Sequence, residues 1–206
     1  MYLYSFDNMA EIKEVSESPA LRVLSDLTPE LVGQVQQFRA SVSDMDGRIR
    51  TPEEEEQRSE EYCSDDDARK WILALKDGEL IGMTVLFGRS VTYEGRTFAL
   101  GGIGKVRVQE DWRKKGVARS MMTEAMKQLA FMQSDVAFLD TNVDSFLGDF
   151  YREYGFVPLN KPYTFTGKSG KRYEDHDGMI APVNSNDVFQ EILSGSEPLH
   201  IGRGKW

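Results

Sequence analysis

The chain has 206 residues and a formal net charge of −9, long enough for one domain with extensions and too acidic overall to attract a phosphate backbone, which argues against nucleic acid as a partner. No apolar run approaches membrane-spanning length, and residues 1–19 carry Asp7, Glu11, Glu14 and Glu17 with no apolar core, so neither a membrane span nor a signal peptide is read. A single cysteine, Cys63, excludes an internal disulfide and favours the cytoplasm, and His176 and His200 lack ligand spacing, which argues against a metal site.

In chain order, residues 1–19 read as a loose arm and 21–24 as a first strand. Thr28-Pro29-Glu30 combines a capping hydroxyl, a proline at the first helical position and an acid in the first turn, predicting a helix that buries Leu31, Val35 and Phe38. Thr51-Pro52-Glu53-Glu54 repeats the signal with a capping box. The negative charge is concentrated here: residues 44–67 hold eleven acids against Arg48, Arg50 and Arg58. The run 53–62 has almost no apolar face and reads as a solvated helix, or as a surface that recruits a polycation. Residues 71–75 and 80–87 flank Asp77-Gly78, a strong hairpin turn, and Tyr93-Glu94-Gly95-Arg96 marks another.

Residues 99–129 organise the chain. The first half is a strand, with Ile103, Val106 and Val108 for pairing and glycines at 101, 102 and 104 for close approach. The second half is an amphipathic helix, with Val117, Ala118, Met121, Met122, Ala125, Met126 and Leu129 at helical spacing. Between them stands Arg113-Lys114-Lys115-Gly116-Val117-Ala118, within a segment, 105–119, of six bases against Glu110 and Asp111. Backbone N–H groups, a helix N-terminus and several cations at one point make an anion site suited to a pyrophosphate. The third glycine of a dinucleotide fingerprint is missing, and no P-loop pattern is present. Beyond lie a strand at 136–139, parallel to its predecessor if the helix crosses over, and a helix over 145–154 closed by Gly155. Then come a strand from Phe156-Val157, a turn at 166–170, a last strand at 178–183, a polar, partly helical stretch to 194 and a Gly-rich end.

Arg113-x-x-Gly116-x-Ala118 between a strand and a helix, followed by Tyr151-x-x-x-Gly155-Phe156, resembles the acetyl-CoA pyrophosphate loop and second motif of the Gcn5-related N-acetyltransferase superfamily. The resemblance covers residues 20–183. It implies an α/β fold, a mixed, twisted sheet of six or seven strands with helices on both faces, between an arm (1–19) and a tail (184–206) that borders the acceptor pocket. It implies acetyl-CoA as co-substrate without a metal, bound by Val106, Arg107 and Val108 along the strand, by Arg113, Lys114, Lys115, Gly116, Val117, Ala118 and Arg119 at the turn, and by Asp144.

The segment 89–112, Asp175-His176-Asp177-Gly178 and the ending Gly202-Arg203-Gly204-Lys205-Trp206 look similar to aminoglycoside 2′-N-acetyltransferases. Gly104 stands where that family has a glutamate, and Gly204 or Lys205 where it has an acid, so a related amino-sugar or another amine stays open. The resemblance implies direct transfer to an amine of a cationic small molecule, in a protein of a superfamily where homodimers are common. An acetyltransferase for a polyamine or a peptide N-terminus, and a non-catalytic acyl-CoA sensor, are the alternatives. Tyr151, a phenol protonated at neutral pH, is the expected general acid; packing in the core is its bland reading. Asp177 and the Trp206 carboxylate are candidate bases, and Asp175, Asp177 and Trp206 candidate acceptor contacts. Cys63, in an acidic region, is expected to be inert.

Overall fold

The computed structural model describes residues 19–42 and 51–206. The arm at 1–18 and the first acids of the 44–67 run lie outside the described residues.

Five strands build the first part of the main sheet: β1 (Ala20–Leu24), β2 (Lys70–Lys76), β3 (Glu79–Tyr93), β4 (Arg96–Val108) and β5 (Val136–Asp140). The sheet has seven strands in the order β1-β2-β3-β4-β5-β9-β6, with β6 at Val157–Pro158 and β9 at Gly178–Pro182. β1 to β4 are successive antiparallel neighbours, and β5 runs parallel to β4, as a crossover helix requires. The Asp77-Gly78 turn takes left-handed backbone at both residues, φ 52° and 85°.

Helices cover both faces. α3 (Val117–Phe131) lays Val117, Met121, Met122, Ala125 and Leu129 on one face, where Ile103, Val108 and α4 (Phe146–Arg152) join the same core. On the other face, α1 (Pro29–Ser41) and α5 (Asn186–Ser194) pack Val35, Phe38, Val188, Phe189 and Ile192 against Leu73, Val85 and Ile180. Thr28 caps α1 by accepting from the Leu31 N–H at 3.4 Å. At α2 (Pro52–Glu61) the capping box closes in both directions, at 2.9 and 3.3 Å.

Two expectations are corrected, and a third gains a detail. The strand at 178–183 is not the last. Leu199–Arg203 forms β10, which pairs parallel with β7 (Tyr163–Thr166), and β7 pairs with β8 (Arg172–Asp175), giving a second, three-stranded sheet. The tail is thus built into the core, where Leu199, Ile201 and Trp206 are buried. The helix at 145–154 is shorter, ending at Arg152, with Gly155 (φ 83°) reversing the chain two residues beyond its cap. The acid-rich α2 is solvated but tethered: Glu60 accepts from the Ser169 N–H at 3.0 Å, and the Lys168 N–H reaches the Glu60 carbonyl at 3.0 Å.

Candidate active site

The site begins where the main sheet opens. The β4–β5 ladder joins only Leu100–Gly102 to Val136–Phe138. From Ile103 onward β4 leaves β5, and a wedge opens between them. A bulge accentuates it: Met83 faces Arg107 while Val85 faces Gly104, and Lys105 takes φ 56°. Such a bulge twists a strand and leaves an extra residue unpaired. The buried Thr84 hydroxyl donates to the Gly104 carbonyl at 3.0 Å and fixes it.

On the α3 face, the chain leaves β4 through a short 3-10 turn, Glu110–Trp112, and enters α3 through Lys114 (φ 61°) and Gly116 (φ 83°). No side chain caps α3, whose first helical bond runs from the Ser120 N–H to the Gly116 carbonyl. The N–H groups of the first turn therefore point outward, where the helix dipole favours an anion. They open on a cleft of about 410 Å³ lined by Val108, Trp112, Arg113, Lys114, Gly116, Val117, Ala118 and Arg119, and across it by Phe146, Leu147 and Phe150 of α4. One end of this cleft is cationic and the other apolar.

The sequence candidates divide here. Those lining residues include all the turn candidates except Lys115, whose ammonium lies 5.0 Å from the Trp112 ring. Arg113 Nε donates to the Val108 carbonyl at 3.2 Å. Arg119 is paired with Glu153. The Arg107 side chain turns to α1, donating to the carbonyls of Arg39 (3.1 Å) and Val42 (3.0 Å). Asp144 is exposed on the loop before α4, its N–H bonded to Asn142 Oδ1.

Tyr151 of α4 is buried, with ring centroids 5.2 Å from Phe150 and 6.1 Å from Phe156. Its hydroxyl has no hydrogen-bond partner among the described residues. Burial pushes the phenol well above its ordinary value, so it holds its proton at neutral pH.

The opposite face of the wedge is closed by the chain end. Trp206 stacks on Phe87 at 5.6 Å and donates Nε1–H to the Phe138 carbonyl at 3.0 Å. A Cβ at Gly102 would strike its indole, and one at Gly104 would lie 2.9 Å from its main-chain carbon. Beside it, Lys205 Nζ lies 2.7 Å from Asp175, 3.4 Å from Asp140 and 3.7 Å from Glu61. Asp140, the last residue of β5, also accepts from the hydroxyls of Tyr163 (2.9 Å) and Tyr62 (3.4 Å). Burial, opposed by Lys205, raises the Asp140 carboxyl. Burial acts the same way on Asp175, but there the hydrogen bond and charge of Lys205 win and hold it below the usual range. Asp177 is exposed, and burial together with the Asp175 charge raises its carboxyl.

Residues 27–159 match the family model described as Acetyltransferase (GNAT) domain. The chain belongs to this family. GNAT domains bind acetyl-CoA as acetyl donor, and the chain is an N-acetyltransferase. Similar GNAT-fold structures include Escherichia coli YhbS in complex with CoA (15% identity, 88% of each chain, TM-score 0.57) and Escherichia coli ElaA (21% identity, 79% of this chain and 99% of that one, TM-score 0.54). The chain also matches a conserved protein from Enterococcus faecalis V583 (18% identity over 68% of this chain, TM-score 0.50), of which it spans only 33%. No curated protein matches the sequence.

Sequence reasoning missed Asp140 and Glu61 beside the GNAT wedge, and that the Lys205 ammonium joins them to Asp175. A signal existed for Asp140, a lone acid ending the otherwise apolar run Val136–Asp140. Glu61 was hidden in an acid run, and the partners of Lys205 stand 30, 65 and 144 residues away. Cys63 is buried, and burial raises its thiol despite the nearby Arg89 cation, in keeping with the inert role expected.

Proposed function

We propose that this N-acetyltransferase transfers acetyl from acetyl-CoA directly to a primary amine of a cationic small molecule, an aminoglycoside or related amino-sugar. The observation that carries the acceptor's charge is the convergence of Glu61, Asp140 and Asp175 on one ammonium beside the wedge. Carboxylates so placed, in a site shielded from water, favour a cationic guest and disfavour an anionic one. The similarity of the Asp175–Gly178 stretch and the chain end to aminoglycoside 2′-N-acetyltransferases supports the amino-sugar class.

In this reading the pyrophosphate takes the uncapped α3 N-terminus with Arg113, Lys114 and Arg119, and the pantetheine arm follows the apolar cleft along Val106 to Val108. Main-chain N–H groups freed by the β4 bulge polarise the thioester carbonyl. Tyr151, protonated and without another partner, donates its proton to the leaving thiolate. Asp177, whose carboxyl is raised, accepts the amine proton. Asp144 borders the donor site from the loop before α4. The Trp206 carboxylate is the second candidate to accept that proton, while its indole, bonded to the Phe138 carbonyl, lines the acceptor side.

The test is thiol release from acetyl-CoA in the presence of kanamycin, kasugamycin, spermidine and a peptide with a free N-terminus. Saturable turnover with an amino-sugar is expected. Turnover confined to the peptide or to spermidine overturns the amino-sugar reading, and none with any amine overturns the cationic acceptor altogether.

A further inference from the structure

We propose that the Lys205 ammonium occupies the subsite for a second, non-reacting ammonium of the acceptor, so that the preferred acceptors are di- or polyamines that take over the carboxylates Lys205 now holds. This rests on the acceptor reading above and narrows it.

Three observations carry the inference. First, the surroundings are those that recognise an alkylammonium. Nζ has Asp175, Asp140 and Glu61 within 3.7 Å, and the rings of Tyr62 and Phe165 at 5.2 and 5.7 Å. Carboxylates together with ring faces bind ammonium groups strongly once water is excluded, and the Lys205 side chain is only 10% exposed.

Second, the cage adjoins the reacting centre. Asp140 closes the strand that forms one wall of the wedge, and the residue after Lys205 lies on Gly102 and Gly104 of the other.

Third, the ammonium can leave without the backbone. The Lys205 carbonyl and N–H are bonded to the Cys63 N–H at 2.9 Å and the Glu61 carbonyl at 2.8 Å, whereas Nζ rides on a flexible four-carbon stem. The acids around it hold the Lys205 ammonium charged, and an ammonium cannot attack a thioester. The cage therefore suits an anchoring ammonium, while the reacting amine of the same molecule sits nearer the β4 bulge.

The test compares the wild type with Lys205→Met, which keeps most of the volume and removes the competitor. KM for kanamycin is expected to fall about tenfold with kcat unchanged, while KM for the monoamine glucosamine stays within twofold. Equal effects on both, or a KM that does not fall, overturn the inference. Should the wild type acetylate no cationic amine, the acceptor reading fails separately, and the subsite is decided by calorimetric titration of Lys205→Ala with n-butylammonium. Saturable binding that Asp175→Asn in the same background abolishes supports it, and no binding overturns it. If these variants do not fold, the ¹⁵N resonance of the Lys205 ammonium in the wild type decides. Displacement toward the solvent-exposed position by saturating kanamycin supports exchange, and an unmoved resonance overturns it.

Discussion

The Arg89 guanidinium lies 4.3 Å from the centre of the Trp206 ring and donates to the carbonyls of Ile201 at 2.7 Å, Gly204 at 2.9 Å and Arg203. One cation of β3 thus holds both the last strand and the aromatic plug of the wedge. It does so half-buried, and burial lowers its pKa. Its geometry depends on a planar fork that a lysine lacks.

Arg89→Ala is therefore expected to destabilise the protein by about 3 kcal/mol, the scale of lost charge-assisted hydrogen bonds plus a cation–π contact. Arg89→Lys should recover less than half of that loss. Urea denaturation measures both. A loss under 1 kcal/mol in Arg89→Ala would mean that the chain end is held chiefly by β10 and the Trp206–Phe87 stack.

Tyr151→Phe separates chemistry from packing. The hydroxyl has no partner among the described residues, so its removal should leave Tm within about 2 °C, while the ring keeps its contacts with Phe150 and Phe156. Loss of a general acid costs about 10²-fold or more in turnover. The expected outcome is a kcat reduced by that factor with KM for acetyl-CoA nearly unchanged, read by thiol release. Unchanged kcat would remove Tyr151 as the acid.

Gly116→Ala probes the turn before α3. No heavy atom stands within 4 Å of the added Cβ, so only the left-handed backbone, φ 83°, resists the substitution. That costs about 1–2 kcal/mol for an L-residue and tilts the N–H groups that face the cleft. A rise of about tenfold in KM for acetyl-CoA, with acceptor KM unchanged, is expected from steady-state kinetics. No change in KM would mean that these N–H groups do not contact the donor.

What was legible in the sequence was local. The basic turn, α3 and the Tyr151 motif each lie within at most fifteen consecutive residues, so spacing alone announces them. The chain end was illegible for the opposite reason. Leu199–Arg203 pairs with Tyr163–Thr166 across more than thirty residues, and its register shifts between His200 and Arg203. Lys205 meets Glu61, Asp140 and Asp175 only after both sheets have formed. The acid-rich α2 looked merely solvated because its partners, Lys168, Ser169 and Lys205, all lie more than a hundred residues on.

The pH dependence of turnover tests Asp177. Burial and the neighbouring Asp175 charge raise its carboxyl above the usual aspartate range. A proton acceptor works only when ionised, so turnover must rise with pH as Asp177 loses its proton, with the acid limb above the unperturbed value of about 3.9. Asp175 is held below its own usual range and remains charged through that limb, so its repulsion persists there. Asp175→Asn should therefore move the limb to lower pH, and Asp177→Asn should abolish it and lower kcat/KM about 10²-fold. The measurement is kcat/KM from pH 4 to 9 for the three proteins. A limb that survives in Asp177→Asn would assign proton removal to another group, and the Asp140 carboxyl, raised by burial at the end of β5, would be the next to replace.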